Sequence, residues 1–138
     1  MIILDTNVLS EALKPEPSAA VLDWFADQAP SDVFTTTITM AEILYGLEAM
    51  ASGKRRMRLL AAVERMFVEQ FEGRILPFDE EAARLFAVIV ASREAAGSPI
   101  SQFDAMIAAI ARSHHAAVAT RNTADFELCG VKLIDPWS

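Results

Sequence analysis

The chain of 138 residues holds one cysteine, Cys129. A single thiol excludes an internal disulfide and any multi-cysteine zinc site, and it fits a reducing cytoplasm. The two histidines, His114 and His115, are adjacent. They close a helical pattern, where the dipole favours imidazolium, so they read as a C-terminal cap rather than a catalytic pair. No stretch approaches the ~20 apolar residues of a bilayer span. No basic segment leads into a long apolar run, so neither a signal peptide nor a membrane partner is expected. Positive charge is in the minority: 12 Lys and Arg face 19 Asp and Glu, for a net charge of −7. That is not the basic footprint usual for a nucleic-acid binder.

What is present is apolar. Hydrophobic residues make up 53% of the chain and charged ones 22%, enough for a substantial core and too ordered a composition for a disordered or fibrous chain. Length, with no repeat or linker, points to one domain over residues 1–138. The cations are unevenly spread. Lys54, Arg55, Arg56, Arg58, Arg65 and Arg74 crowd one stretch, opposed there only by Glu64, Glu69 and Glu72. This is either a solvated helix of mixed charge or a local basic face.

Hydrophobic periodicity predicts strands over 2–4, 33–38 ("VFTTTI"), 74–79 ("RILPFD"), 116–120 and 131–134, with Pro77 marking an edge or a strand exit. It predicts helices over about 8–13, from a Ser18 cap through Phe25, over "TMAEILYGLEAMA", over 54–71, over 80–96 and over 101–115, with a helical turn at 123–127. Trp24 and Trp137 read as packing residues. Strands alternating with helices imply an α/β fold with a mainly parallel sheet covered on both faces.

Four acids sit where such a sheet puts its ligand site, outside the carboxyl ends of the strands. Asp5 ends the first strand, Glu42 follows the second and Asp125 follows the fourth. Asp104 opens a helix and joins them only if that helix starts over the same edge. Each has a plain structural explanation. Asp5 or Thr6 can cap the first helix, while Thr39-x-x-Glu42, Ser101-x-x-Asp104 and Asn122-x-x-Asp125 have capping-box spacing. If the acids converge, their mutual repulsion calls for a cation. Oxygen ligands without a cysteine or histidine cluster select Mg²⁺ or Mn²⁺ over Zn²⁺. Such an ion suits phosphodiester hydrolysis.

Four ordered stretches, "ILDTNVLSEALKP", "TMAEILYGL", "FDAMIAAIA" and "ATRNTADF", resemble the PIN-domain family, and within it the VapC-type, FitB-like toxins. The resemblance implies a three-layer α/β/α sandwich and an Mg²⁺- or Mn²⁺-dependent endoribonuclease, the toxin of a toxin–antitoxin pair. It implies Asp5, Glu42 and Asp104 as metal-site acids, with Thr6 and Asn7 supporting Asp5, and Thr120 and Asn122 lining the same cleft. Many family members carry aspartate where this chain has Asn122, so either Asn122 or Asp125 fills the fourth position. RNA, a cognate antitoxin and a second copy of the chain are the implied partners, the last as a homodimer or part of a higher assembly. Arg121, Lys54 and Arg55 are candidates to grip phosphates, against a role as ordinary surface charge. The competing readings are a haloacid-dehalogenase phosphatase, which wants an aspartate at Asn7, a PIN-related DNA nuclease, and a catalytically idle RNA- or protein-binding module.

Overall fold

A computed structural model describes residues 1–138. The chain runs β1 (Ile2–Leu4), α1 (Thr6–Ala12), α2 (Ala19–Ala26), β2 (Val33–Thr36), α3 (Thr37–Glu48), α4 (Lys54–Arg65), β3 (Ile75–Leu76), α5 (Glu80–Ala95), α6 (Gln102–Ser113), β4 (Ala117–Ala119) and β5 (Leu133–Ile134). Single 3₁₀ turns at Pro30–Asp32 and Thr123–Phe126 tighten two connections. The five strands are all parallel in the order β3-β2-β1-β4-β5. Side chains alternate across a strand, so neighbouring residues feed opposite faces. Ile3 and Val118 pack under α5 and α6 with Ile89, Ile107 and Ile110. Leu4 and Ala119 pack on the other face with Val8 and Leu9 of α1, Ile43 and Leu47 of α3 and Val63 of α4. The result is the expected three-layer α/β/α sandwich. β3, just before Pro77, is an edge strand, as the proline requires.

Several boundaries differ from the sequence reading. The 33–38 strand stops at Thr36, whose hydroxyl accepts the Thr39 N–H at 3.1 Å and so caps α3. The cap satisfies an orphan helix donor, and that outweighs the β-propensity of Thr37 and Ile38. The capping box expected at Thr39 and Glu42 is therefore absent, and Glu42 lies in the second turn of α3. α1 begins at Thr6, because Asp5 supplies its cap. The 54–71 helix is regular only to Arg65, then widens into a π turn over Met66–Gln70. The strands expected over 74–79 and 131–134 pair only at Ile75–Leu76 and Leu133–Ile134.

Candidate active site

Parallel strands point their carboxyl ends the same way, and the site is built there. Asp5 follows β1. Its own N–H extends the ladder to the Ala119 carbonyl at 2.9 Å, while its carboxylate turns into the cleft. Oδ1 accepts the Thr6 N–H at 2.8 Å. Oδ2 accepts the Thr120 hydroxyl at 2.8 Å and the Asn7 amide at 3.2 Å. A carboxylate offers about four acceptor positions, so one remains for another ligand. Asp5 is 6% exposed. Burial drives its pKa up to about 6 despite the hydrogen bonds from Thr120 and Thr6, and the charges of Asp104 and Glu42 push the same way.

Glu42 is held by the next residue of the first motif. Thr6 Oγ1 donates to Glu42 Oε1 at 2.8 Å and lies 3.1 Å from Thr39 Oγ1. Asp104 sits in the first turn of α6, where Ser101 Oγ accepts its N–H at 3.2 Å. α6 must run back along the sheet to let β4 start parallel to β1, so its N-terminus overhangs the carboxyl edge. Both acids are raised above the ordinary range, each chiefly by burial. Asp104 adds to the rise of Glu42, and Asp125 to that of Asp104. Asp104 and Asp125 line one small cleft of about 190 Å³ with Ser101 and Arg93.

The supporting residues form one network. The side chain of Thr120, fully buried, donates to Asp5 and accepts from the Asn122 N–H at 3.1 Å and the Asn7 amide at 3.3 Å. Asn7 Oδ1 accepts the Arg121 N–H at 3.3 Å. Asn122 enters this network through its backbone. The expected cap from Asn122 to Asp125 is a backbone bond, Asp125 N–H to the Asn122 carbonyl at 3.0 Å. Of the basic stretch, Arg55 lines a cleft of about 320 Å³ with Thr6, Lys14 and Glu42. Lys54 is exposed outside that cleft, and Arg56 is paired with Glu48 at 2.7 Å. His114 is the C-cap of α6.

The family follows from how much of the chain is matched. The PIN domain family matches residues 2–129, covering every element from β1 through the turn that carries Asp125. The chain belongs to the PIN-domain family. Among relatives of this PIN domain, VapC ribonuclease Y4jK of Sinorhizobium fredii is 43% identical, covering 99% of this chain and 98% of that one. Toxin FitB of Neisseria gonorrhoeae is 39% identical over 99% of each. A solved structure of FitAB bound to the IR36 DNA fragment superposes with a TM-score of 0.94 at 39% identity, covering 100% of this chain and 96% of that one. The relatives of this PIN domain are thus VapC- and FitB-type toxins of toxin–antitoxin systems. Membership in the family sets aside the phosphatase reading, and Asn7 spends its amide on the Asp5 network instead.

Two residues lining the clefts around the candidate site escaped the sequence reading. Lys14, which pairs with Glu11 at 3.0 Å, reaches the Glu42 cleft from the far end of α1. Arg93 is 4% exposed and donates to the carbonyls of Ser98, Asp125 and Glu127 at 2.6, 2.9 and 2.7 Å. It fastens the turns on both sides of the Asp104 cleft. Its signal was present: Ala82, Ile89 and Arg93 share one helical stripe, which makes the arginine a core position.

Proposed function

We propose that this protein is an Mg²⁺- or Mn²⁺-dependent endoribonuclease, the cytoplasmic toxin of a toxin–antitoxin pair. The observation that carries the reading is electrostatic. Asp5, Glu42 and Asp104 come from three separate elements; the charges of Glu42 and Asp104 raise the pKa of Asp5, Asp104 raises that of Glu42, and no lysine or arginine forms an ion pair with any of them. An all-oxygen donor set of this kind fits a hard divalent cation. The carboxylates do not form a closed three-ligand cage. Mg²⁺ does not need such a cage, because it binds through one or two carboxylates and keeps several waters.

Asp5 and Asp104 would hold the ion, with Glu42 completing the shell directly or through water. A bound ion supplies Lewis acidity at the scissile phosphate and lowers the pKa of water. Glu42, oriented by Thr6, accepts the proton of the attacking water, a role favoured by its raised pKa. Thr120 and Asn7 lock the Asp5 rotamer. Asp125 adds charge on the Asp104 side, and Asn122 lines the cleft without adding any. Arg55 and Lys14 on one flank, and Arg121 on the other, are placed to take backbone phosphates of the strand. The net charge of −7 favours a basic antitoxin segment. The FitAB assembly in which a similar chain was solved supports such a partner, and a homodimer completes the proposal.

The test compares cleavage of RNA and DNA with Mg²⁺, with Mn²⁺ and with chelator. Asp5→Asn and Asp104→Asn should remove RNA cleavage while circular dichroism shows the fold intact. Cleavage that persists in chelator, or in either variant at the wild-type rate, overturns the assignment. Cleavage of DNA in preference to RNA would move it to the DNA nucleases.

A further inference from the structure

Arg121 directly follows Thr120, and its N–H is tied to Asn7 at 3.3 Å. Its backbone is therefore fixed to the two residues that hold Asp5. Its side chain is exposed, and neither a carboxylate nor a carbonyl takes its N–H groups; the ion pairs lie at Lys14–Glu11, Arg56–Glu48 and Arg84–Glu80. What holds the guanidinium is Trp137, whose ring centroid lies 5.1 Å from Cζ. Trp137 is itself anchored. Its backbone N–H donates to Asp135 Oδ1 at 2.9 Å, and its ring packs at the fringe of the core around Leu4, Val8 and Ala119.

Other arginines show the contrast. Arg93 spends its donors on Ser98, Asp125 and Glu127, and Arg74 spends its own on the carbonyls of Pro30, Val33 and Gln70. Both fasten the fold. A guanidinium held over an aromatic ring by a cation–π contact keeps its N–H donors free, and these match two phosphate oxygens. Its backbone adjoins Thr120, which holds the Asp5 carboxylate, so the cation is carried on the rim of an acidic centre that would otherwise repel a phosphodiester.

We propose that Arg121 and Trp137 form a pre-set phosphate clamp at the mouth of the site. Arg121 binds a backbone phosphate of the RNA, and Trp137 is a positioning residue that acts only through Arg121. The clamp rests on the ribonuclease reading above. It differs from a structural role in which Arg121 merely serves Glu11, whose carboxyl is held low by Lys14 first and by Arg121 last.

The experiment measures KM and kcat separately for a labelled pool of tRNA and fragmented rRNA with Mg²⁺. It uses the wild type, Arg121→Ala, Trp137→Leu, Trp137→Phe and the double variant Arg121→Ala/Trp137→Leu. Arg121→Ala should raise KM about tenfold, the loss of a charged hydrogen-bonded contact, with little change in kcat. Trp137→Leu should raise KM about two- to fivefold, the worth of an exposed cation–π contact. Trp137→Phe, which keeps an aromatic face, should fall between it and wild type. The double variant should be no worse than Arg121→Ala alone. The salt dependence of binding should fall by about 0.7 in slope for Arg121→Ala, one phosphate on a single strand. A wild-type KM in Trp137→Leu overturns the clamp, and so does a double variant whose losses multiply. A fall in kcat at constant KM means lost fold and overturns it too. Wild-type protein that cleaves no RNA removes the ribonuclease reading itself, whereas active wild type with unaffected variants removes the clamp alone.

Discussion

At the scale of the residue, Asp5 costs the metal-free protein stability. Its folded pKa of about 6 lies above its ordinary 3.8, so between those values the native state binds more proton than the unfolded chain. Stability then falls as pH rises through that window and levels off above it. The shift corresponds to about 3 kcal/mol at most. Urea unfolding of wild type and Asp5→Asn across pH 4 to 7.5 should show the variant gaining on wild type as pH rises; a constant difference would contradict the burial penalty. Thr120 bears on the same carboxylate. Thr120→Val should cost about 1–3 kcal/mol, by stranding a buried acceptor, and should also reduce nuclease activity. Thr35 is the reverse case. Its hydroxyl is fully buried without a partner, so Thr35→Val should leave the melting temperature unchanged or raise it, as a thermal scan would show.

At the scale of the element, each site acid depends on where a helix begins. Asp5 and Ser101 are caps legible in the sequence, because a small polar residue precedes an apolar-periodic run. Thr36 was not legible. In "TTTIT" any threonine could cap, and only the end of β2 against β1 and β3 selects Thr36. Thr36→Ala should cost about 1 kcal/mol. It should also lower cleavage, since α3 would fray toward Thr39, the neighbour of the Thr6–Glu42 hydrogen bond; full activity after the stability loss would uncouple cap from site. α4 presents the opposite case. Its first residues are Lys54, Arg55 and Arg56 behind a Gly53 cap with no side-chain hydrogen bond. Cations at a helix N-terminus oppose the macrodipole. Of these, Arg55 faces the Glu42 cleft and Arg56 is paired, which the sequence pattern alone did not separate.

At the scale of the whole molecule, the acids repel one another, and any ligand that relieves the repulsion stabilises the fold by mass action. Mg²⁺ or Mn²⁺ at about 100 times its dissociation constant should add roughly 2.7 kcal/mol. Differential scanning should therefore show a metal-dependent rise in melting temperature for wild type that is absent in Asp5→Asn and Asp104→Asn. An equal rise in all three would place the ion elsewhere. The sequence by itself determined the alternation of strands and helices, the burial of the first strand, an edge or strand exit at Pro77 and which acids were candidates for the site. Those are local properties: side-chain polarity, backbone propensity and period. Tertiary structure alone decided that Asp104, about a hundred residues from Asp5, overhangs the same edge. It alone put Arg93 under both turns, Lys14 and Arg55 on one flank, and Arg121 against Trp137. Each of these joins residues distant in the chain, and only the closing of the parallel sheet, with its helices folded back across it, brings them together.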